Sequence, residues 1–374
     1  MATDRMVLAN ILKEHQGKTI IIFPPLIDWN VPLFQRPHHL ALNLARLGYL
    51  YFYCTPNMYD DYPGFVRKED NLYITDCYDE LLELVEGDVL FHVYAQNPYI
   101  QLDFIDTQIA KGRHILYEYI DEIHSDLGLN KNSVIERHIS VLSNDNIIVV
   151  ATATKLMREV LSYRNYNCAL VGNGVDISHF SQQNNNYDIP SVLLRMINNG
   201  KPIIGYFGAL ASWFDYELIL KLGTERPNYN ILLIGWDYDN SVNCYHLNNY
   251  HNVTVLGPIE YRDLPRYAKW FTVSTIPFRI NEVTESTSPI KLFEYMALGH
   301  PIVTTDLPEC RKYQSVLIAT NHDDFVQKVD KAIALSGDND YRSVLRTEAE
   351  SNSWESKAKA VDYLIKQNLL YCLE

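Results

Sequence analysis

This chain has no surplus of cations, no paired-cysteine pattern and no long apolar run, and each absence removes a class of function. Lys and Arg total 32 against 46 Asp and Glu, a formal net charge of −14. That balance excludes a nucleic-acid binder whose affinity rests on a basic surface, and it weakens any general attraction to anionic lipid. Cys54, Cys77, Cys168, Cys244, Cys310 and Cys372 show neither C-x-x-C nor Cys/His ligand spacing, and no secretory signal precedes them. They read as free thiols in a reducing cytoplasm. No stretch approaches the roughly 20 apolar residues needed to span a bilayer, so any membrane contact would be peripheral.

What is present is ordinary globular material: 374 residues, 47% apolar and 21% charged, enough for two domains each with its own core. Tyrosine stands out at 27 residues. Its amphipathic ring suits sugar stacking and interfaces, although codon bias or half-buried packing explains the count equally well. Short apolar, β-branched runs alternate with longer amphipathic segments from end to end, the pattern of βαβ units and parallel sheets, so the fold class is α/β. The first half offers strands at 19–23, 50–54, 89–93, 114–119 and 147–151, with helices near 34–47, 98–111, 133–142 and 154–163. A second set opens at Pro202, with strands at 203–207, 230–234, 253–256, 271–276 and 301–305 and helices near 214–222, 264–269, 289–298 and 323–335. The polar, low-complexity segment 181–188 between them predicts a linker. The expected domains are therefore 1–182 and 190–350, both doubly wound and Rossmann-like, with a cleft between the carboxyl edges of their sheets. The segment 354–370 has helical spacing.

The stretch Ser286-Thr287-Ser288-Pro289-Ile290-Lys291-Leu292-Phe293-Glu294-Tyr295 reads as a helix start. Ser288 is a favoured N-cap type, and Pro289 suits the first helical position, where its missing N–H costs nothing. Lys291 then falls in the first turn, where the free amides and the dipole disfavour a cation unless an anion is bound. Glu294 shares its face one turn later. A diphosphate on the amides and Lys291, with Glu294 accepting from ribose hydroxyls, would grip a nucleotide-sugar; the alternative is an ordinary surface i,i+3 ion pair.

Five segments, one lying within another, resemble one family. Val171-Gly172-Asn173-Gly174-Val175-Asp176 followed by Phe180 is similar to the "NGVD…F" segment of GT-B glycosyltransferases, above all the large family numbered four. The Pro289–Gly299 helix resembles that family's donor-binding helix, and Gly205-Tyr206-Phe207-Gly208-Ala209 its glycine turn opening the second domain. Asn281 through Pro308 and Gln35-Arg36-Pro37-His38-His39-Leu40 are similar to a bacterial branch making capsular, teichuronic or exopolysaccharide chains. The resemblance implies the GT-B fold, with the last helix (354–374) crossing back to the first domain. It departs at Ser286, where the family carries the first of two glutamates; it implies that Asn281, Thr284 or the amides of residues 285–287 take that role.

Transfer from a nucleotide-sugar requires a stabilised leaving diphosphate, a bound electrophilic sugar and a held acceptor hydroxyl. For the donor, Gly208 would let the backbone approach phosphate oxygens, or serve as a simple tight turn. Gly205-x-x-Gly208 is not a dinucleotide fingerprint, which excludes a dehydrogenase. Tyr261, in a segment similar to the family's base-reading loop, stacks or merely packs; Ser286, Thr287 and Ser288 line the same helix start, with Asn173 near the donor in an Asx-rich turn. On the acceptor side, Asp121 follows a strand of the first domain and could take a proton if burial raises its pKa, as a related inverting family implies, or be a cap or solvated loop carboxylate. Glu122 and His124 are alternatives for that task. Arg36, His38 and His39 could bind acceptor or phosphate, the histidine pair being otherwise a helix-start surface feature.

No metal site is apparent. Asp237-Tyr238-Asp239 has the D-x-D spacing but sits in the second domain, where the resembled fold uses no cation, and reads as a surface turn. The resemblance thus implies a cytoplasmic hexosyltransferase, peripheral at the membrane at most. It would need no cofactor beyond a UDP- or GDP-sugar co-substrate, and would act on a glycan or lipid-linked glycan acceptor with retention. An inverting transferase with Asp121 as base, a sugar-nucleotide epimerase and a non-catalytic scaffold are the alternatives.

Overall fold

The structure, a computed structural model, describes residues 2–123, 131–181 and 189–371. These form two compact units, one of residues 2–172 with 354–371 and the other of Asn173–Ser353. The division falls at Gly172, ahead of the polar segment, whose residues 182–188 lie outside the described ones; the NGVD segment belongs to the second unit.

The first unit is built on an eight-stranded sheet: β1 (Ile20–Phe23), β2 (Leu50–Cys54), β3 (Phe65–Glu69), β4 (Leu72–Thr75), β5 (Val89–Tyr94), β6 (His114–Tyr119), β7 (Ile147–Ala151) and β8 (Cys168–Leu170). The spatial order is β3-β4-β2-β1-β5-β6-β7-β8, parallel throughout except for the β3–β4 pair. Its central strands are buried along almost their whole length and apolar but for His92 in β5 and His114 and Glu118 in β6, as when helices cover both faces of a parallel sheet. The strand order reverses between β1 and β5, so the loops after those strands form the unit's switch point, with residue 121 just beyond β6. The helix Trp354–Tyr371 packs on the helix Arg36–Arg46 of this same unit, pinned by Tyr49 Oη donating to Asp362 at 2.7 Å and by the Trp354 ring lying on His39, centroids 4.7 Å apart at 10°.

The second unit carries β9 (Ile203–Phe207), β10 (Asn230–Ile234), β11 (Val253–Leu256), β12 (Val273–Ile276), β13 (Ile302–Thr305) and β14 (Val316–Ala319), all parallel, in the order β11-β10-β9-β12-β13-β14. Counted within the unit this is 3-2-1-4-5-6, the doubly wound dinucleotide-fold order, and its switch point lies between β9 and β12. Gly208 follows β9, and the segment leading to residue 290 follows β12. Two parallel-sheet units of this kind make the GT-B fold expected from the sequence. No sign in the sequence marked the β3–β4 pair, β8 or β14, nor the helices Ala2–Glu14, Tyr78–Leu84, Ile177–Phe180, Ser191–Asn198, Glu282–Glu285 and Asn339–Ser351, two of which are 13 residues long.

Candidate functional site

At the switch point of the second unit the helix runs Ile290–Leu298. It starts one residue later than the sequence suggested: Pro289 is extended (φ −70°, ψ 117°) at the cap position, and no side chain caps the first turn. Ser288 does not cap because Asn173 claims it, the Asn173 N–H donating to Ser288 Oγ (3.2 Å) and the Asn173 amide to the Ser288 carbonyl (2.6 Å). The NGVD segment is thereby fastened to the start of the helix, and Asp176 caps the short helix Ile177–Phe180 by accepting from the His179 N–H at 3.0 Å.

Lys291 is the second helical residue and packs against Gly208. A Cβ on Gly208 would stand 2.7 Å from Lys291 Cε, and its φ of +137° is one that side chains avoid. Gly235, at the end of β10, closes the same corner, where a Cβ would lie 1.8 Å from the Gly208 carbonyl oxygen. Two backbones therefore meet beside the ammonium because neither carries a side chain. The ammonium lies over the rings of Phe278 (4.9 Å) and Tyr206 (5.6 Å) and, among the described residues, makes no salt bridge. Glu294 is 5% exposed and accepts no hydrogen bond from any described residue. Burial pushes Lys291 down to about 8, against the pull of Glu294, and pushes Glu294 up to about 8, against the pull of Lys291. A buried carboxyl without a hydrogen bond and a cation made reluctant by desolvation, at an uncapped helix start, form a site short of an anion and of donors. The surface ion pair is excluded by the burial.

Tyr261 stacks on His179, centroids 4.4 Å apart at 18°, and His179 Nε2 donates to the Tyr261 carbonyl at 2.8 Å. Burial raises the phenol well above its usual value, and the nearby Glu294 adds to the rise. One ring face is thus spent on packing.

The suggested substitutes for the missing glutamate are occupied. Asn281 caps the helix Glu282–Glu285, its Oδ1 accepting from the Thr284 N–H at 3.0 Å and its own N–H donating to Thr284 Oγ1 at 3.0 Å. The amides of Glu285, Ser286 and Thr287 donate to the carbonyls of Asn281, Val283 and Thr284. Ser286 is fully buried, its hydroxyl donating to the Glu282 carbonyl at 3.0 Å, and Thr287 Oγ1 donates to the Val283 carbonyl at 2.9 Å. Ser286 and Thr287 therefore close a helix and offer no donors forward.

In the first unit Asp121 is exposed just past β6, its carbonyl accepting from Gln96 Nε2 at 2.6 Å. Crowding by protein raises its carboxyl to about 7, and access of water limits that rise. Glu122 pairs with Lys155 at 2.5 Å, and His124 lies outside the described residues. Arg36 is not a surface cation. It is 3% exposed and grips the fully buried Glu118 through two bonds of 2.9 and 2.7 Å, while a third reaches the Gly172 carbonyl at 2.9 Å. His92 Nε2 lies 3.3 Å from the same carboxylate, and its Nδ1 pairs with Tyr51 Oη at 2.7 Å. Burial alone would raise Glu118; Arg36 and His92 override it and hold the carboxyl at about 2. His38 is fully buried between Phe34 and Tyr53, its Nδ1 accepting from the Gln35 N–H (3.1 Å) and its Nε2 donating to the Asp28 carbonyl (2.9 Å). Burial lowers its pKa to about 4, so it is neutral. With His39 flat on Trp354, the pair is core, neither a surface feature nor an exposed anion site. Glu118 and His92 were missed, although a charge inside the apolar run of β6 was a legible sign of a buried partner.

Among the described residues no three His, Cys, Asp or Glu side chains are grouped to hold a metal ion, and no helix is long and apolar enough to cross a membrane.

Residues 201–334 match the family model described as Glycosyl transferases group 1. A putative teichuronic acid biosynthesis glycosyltransferase of Bacillus subtilis (strain 168) is 27% identical over 192 residues, which cover 49% of this chain and 47% of the relative, so the match spans about half the length of that curated protein. Among solved structures, sucrose-phosphate synthase from Thermosynechococcus elongatus aligns with a TM-score of 0.68 at 16% identity, over 96% of this chain and 100% of the other. Anabaena HepE in complex with UDP and glucose aligns at 0.65 and 12%, over 94% and 100%. At such identity the structures speak to the fold alone. The second unit thus carries a domain of the glycosyl transferases group 1, in a chain with the GT-B fold.

Proposed function

We propose that this protein is a glycosyltransferase that moves a sugar from a nucleotide diphosphate donor to a glycan acceptor during synthesis of a bacterial surface polysaccharide. The carrying observation is the Lys291–Glu294 pair at the switch point, a desolvated cation beside two glycines and a buried carboxyl with no hydrogen bond among the described residues. The diphosphate would lie on the uncapped helix start with Lys291 offsetting its charge, and Glu294 would accept from the ribose hydroxyls. As the sugar–phosphate bond breaks, the charge that develops on the leaving oxygen falls where these groups already point, so they favour the transition state. The surface-polysaccharide assignment follows the Bacillus subtilis relative, and UDP is the first nucleotide to try because HepE was solved with it. The protein would work in the cytoplasm, peripheral to the membrane, on a glycan or lipid-linked glycan.

Retention of configuration is the proposed outcome, with the leaving phosphate helping to deprotonate the acceptor and Asp121 orienting it. The raised carboxyl of Asp121 supports a second reading, an inverting reaction in which Asp121 is the base. Product anomericity by NMR separates the two. In the inverting case Asp121→Asn removes nearly all turnover, roughly 100-fold or more, with nucleotide binding intact, and the wild-type rate rises with pH as the raised carboxyl ionises. In the retaining case the variant keeps most of its activity. Thermal shift with uridine, guanosine and cytidine diphosphates tests the donor reading itself; silence across all three favours a scaffold, and turnover of donor without acceptor favours an epimerase.

A further inference from the structure

Beside the two glycines of the second unit stands an aromatic group that the donor reading does not use. Trp236 follows Gly235, and Trp213 and Tyr238 lie with it: the Tyr238 ring is 5.6 Å from Trp213 at 48° and 5.9 Å from Trp236 at 69°. Trp236 is 54% and Tyr238 60% exposed, and Trp213 beside them is half-buried against the core. Their backbone is firmly held. Leu210 N–H donates to the Trp236 carbonyl and Tyr238 N–H to the Leu210 carbonyl, both at 2.8 Å, and Arg279 N–H donates to the Trp213 carbonyl at 2.8 Å. Asp239 accepts from the Ser212 and Ser241 amides at 2.8 and 3.1 Å, so the D-x-D spacing serves this turn. A fixed backbone beneath aromatic side chains, which have only two rotatable bonds, gives contact area at low entropic cost when a ligand arrives.

We infer that Trp213, Trp236 and Tyr238 form a carbohydrate subsite, which takes the apolar C–H face of a pyranose ring of the acceptor glycan. The inference rests on the donor reading for the word acceptor, though not for the binding of sugar. The tilted rings make a corner that contacts a puckered saturated ring on more than one side, where a flat nucleobase would call for a parallel slot. The two indole N–H groups and the phenol hydroxyl have no partner among the described residues and remain for sugar hydroxyls. Asp237 and Asp239 flank the rings within a chain of net charge −14, which disfavours an anionic lipid surface as the occupant.

The test uses the full chain with ¹⁵N-indole tryptophan, whose five signals are assigned by Trp→Phe variants. Methyl pyranosides of glucose, galactose, N-acetylglucosamine and glucuronic acid are titrated with and without UDP. The expected result is that the Trp213 and Trp236 signals move together and saturably with at least one pyranoside. Tyr238→Ala should weaken that binding about three- to tenfold while leaving the thermal response to UDP unchanged. Movement of neither signal, or of Trp29, Trp270 or Trp354 alone, overturns the subsite. Loss of the UDP response in Tyr238→Ala overturns it in favour of a base-stacking wall, and movement with phosphatidylglycerol vesicles in place of pyranosides does so in favour of a membrane contact. If no nucleotide binds but pyranosides still move both signals, the donor reading fails and the subsite stands.

Discussion

Lys291→Met is expected to weaken binding of the nucleoside diphosphate by about 1.5–3 kcal/mol, roughly 10- to 150-fold, and to make the empty protein more stable. Both effects come from the same desolvation. The ammonium is lowered from 10.5 to about 8, so the fold opposes its protonation. That penalty is present in full below about pH 8 and disappears as pH rises through 10.5, where the unfolded chain also loses the proton. Methionine fills the same volume without charge and removes the penalty, which partial access of water limits to about 1–2 kcal/mol at neutral pH. Nucleotide titration and denaturant unfolding of the variant measure the two changes. A lysine doing ordinary structural work would show the reverse: lower stability, unchanged binding.

Arg36→Ala should cost about 3–5 kcal/mol, because it strands the Glu118 carboxylate in a dry interior. Denaturant unfolding of the variant measures the loss. Replacing Arg36 and Glu118 together by apolar residues should recover most of it, which a site that merely binds acceptor would not do. The pH dependence carries the same signature. Glu118 is held at about 2 against an ordinary 4.5, so its contribution is fully present above about 4.5 and is lost as pH falls toward 2. Acid unfolding of the wild type should therefore draw on this group, and the doubly apolar variant should lose that part of the acid sensitivity. If Arg36→Ala folds with unchanged stability and only its acceptor kinetics alter, the buried pair is misread.

The sequence carried the scaffold well where the periodic signal was long. β7 and β9 are apolar runs with β-branched residues, and the helices after them, Thr154–Tyr163 and Tyr216–Glu225, show full amphipathic turns, so class and order were legible. The β3–β4 pair, β8 and β14 were not, since three to five residues at a sheet edge hold too little alternation to rise above a loop. In the candidate site the residue types around Lys291 and Glu294 pointed to an anion site because a cation at a helix start contradicts local propensity. The cap itself was misread. Ser288 had the right chemistry, but a residue far away in sequence, Asn173, took both of its acceptors. The same limit hid Arg36, whose partner Glu118 is 82 residues away, a pairing that only folding brings together.

If the second unit holds a nucleoside diphosphate on Lys291, calorimetric titration of UDP, GDP and CDP across pH will show it. One of the three should bind, and its affinity should fall as pH rises above about 8, where the ammonium loses its proton, a fall that Lys291→Met should remove. Binding that is absent for all three, or that stays constant well above pH 8, would mean that Lys291 holds no phosphate.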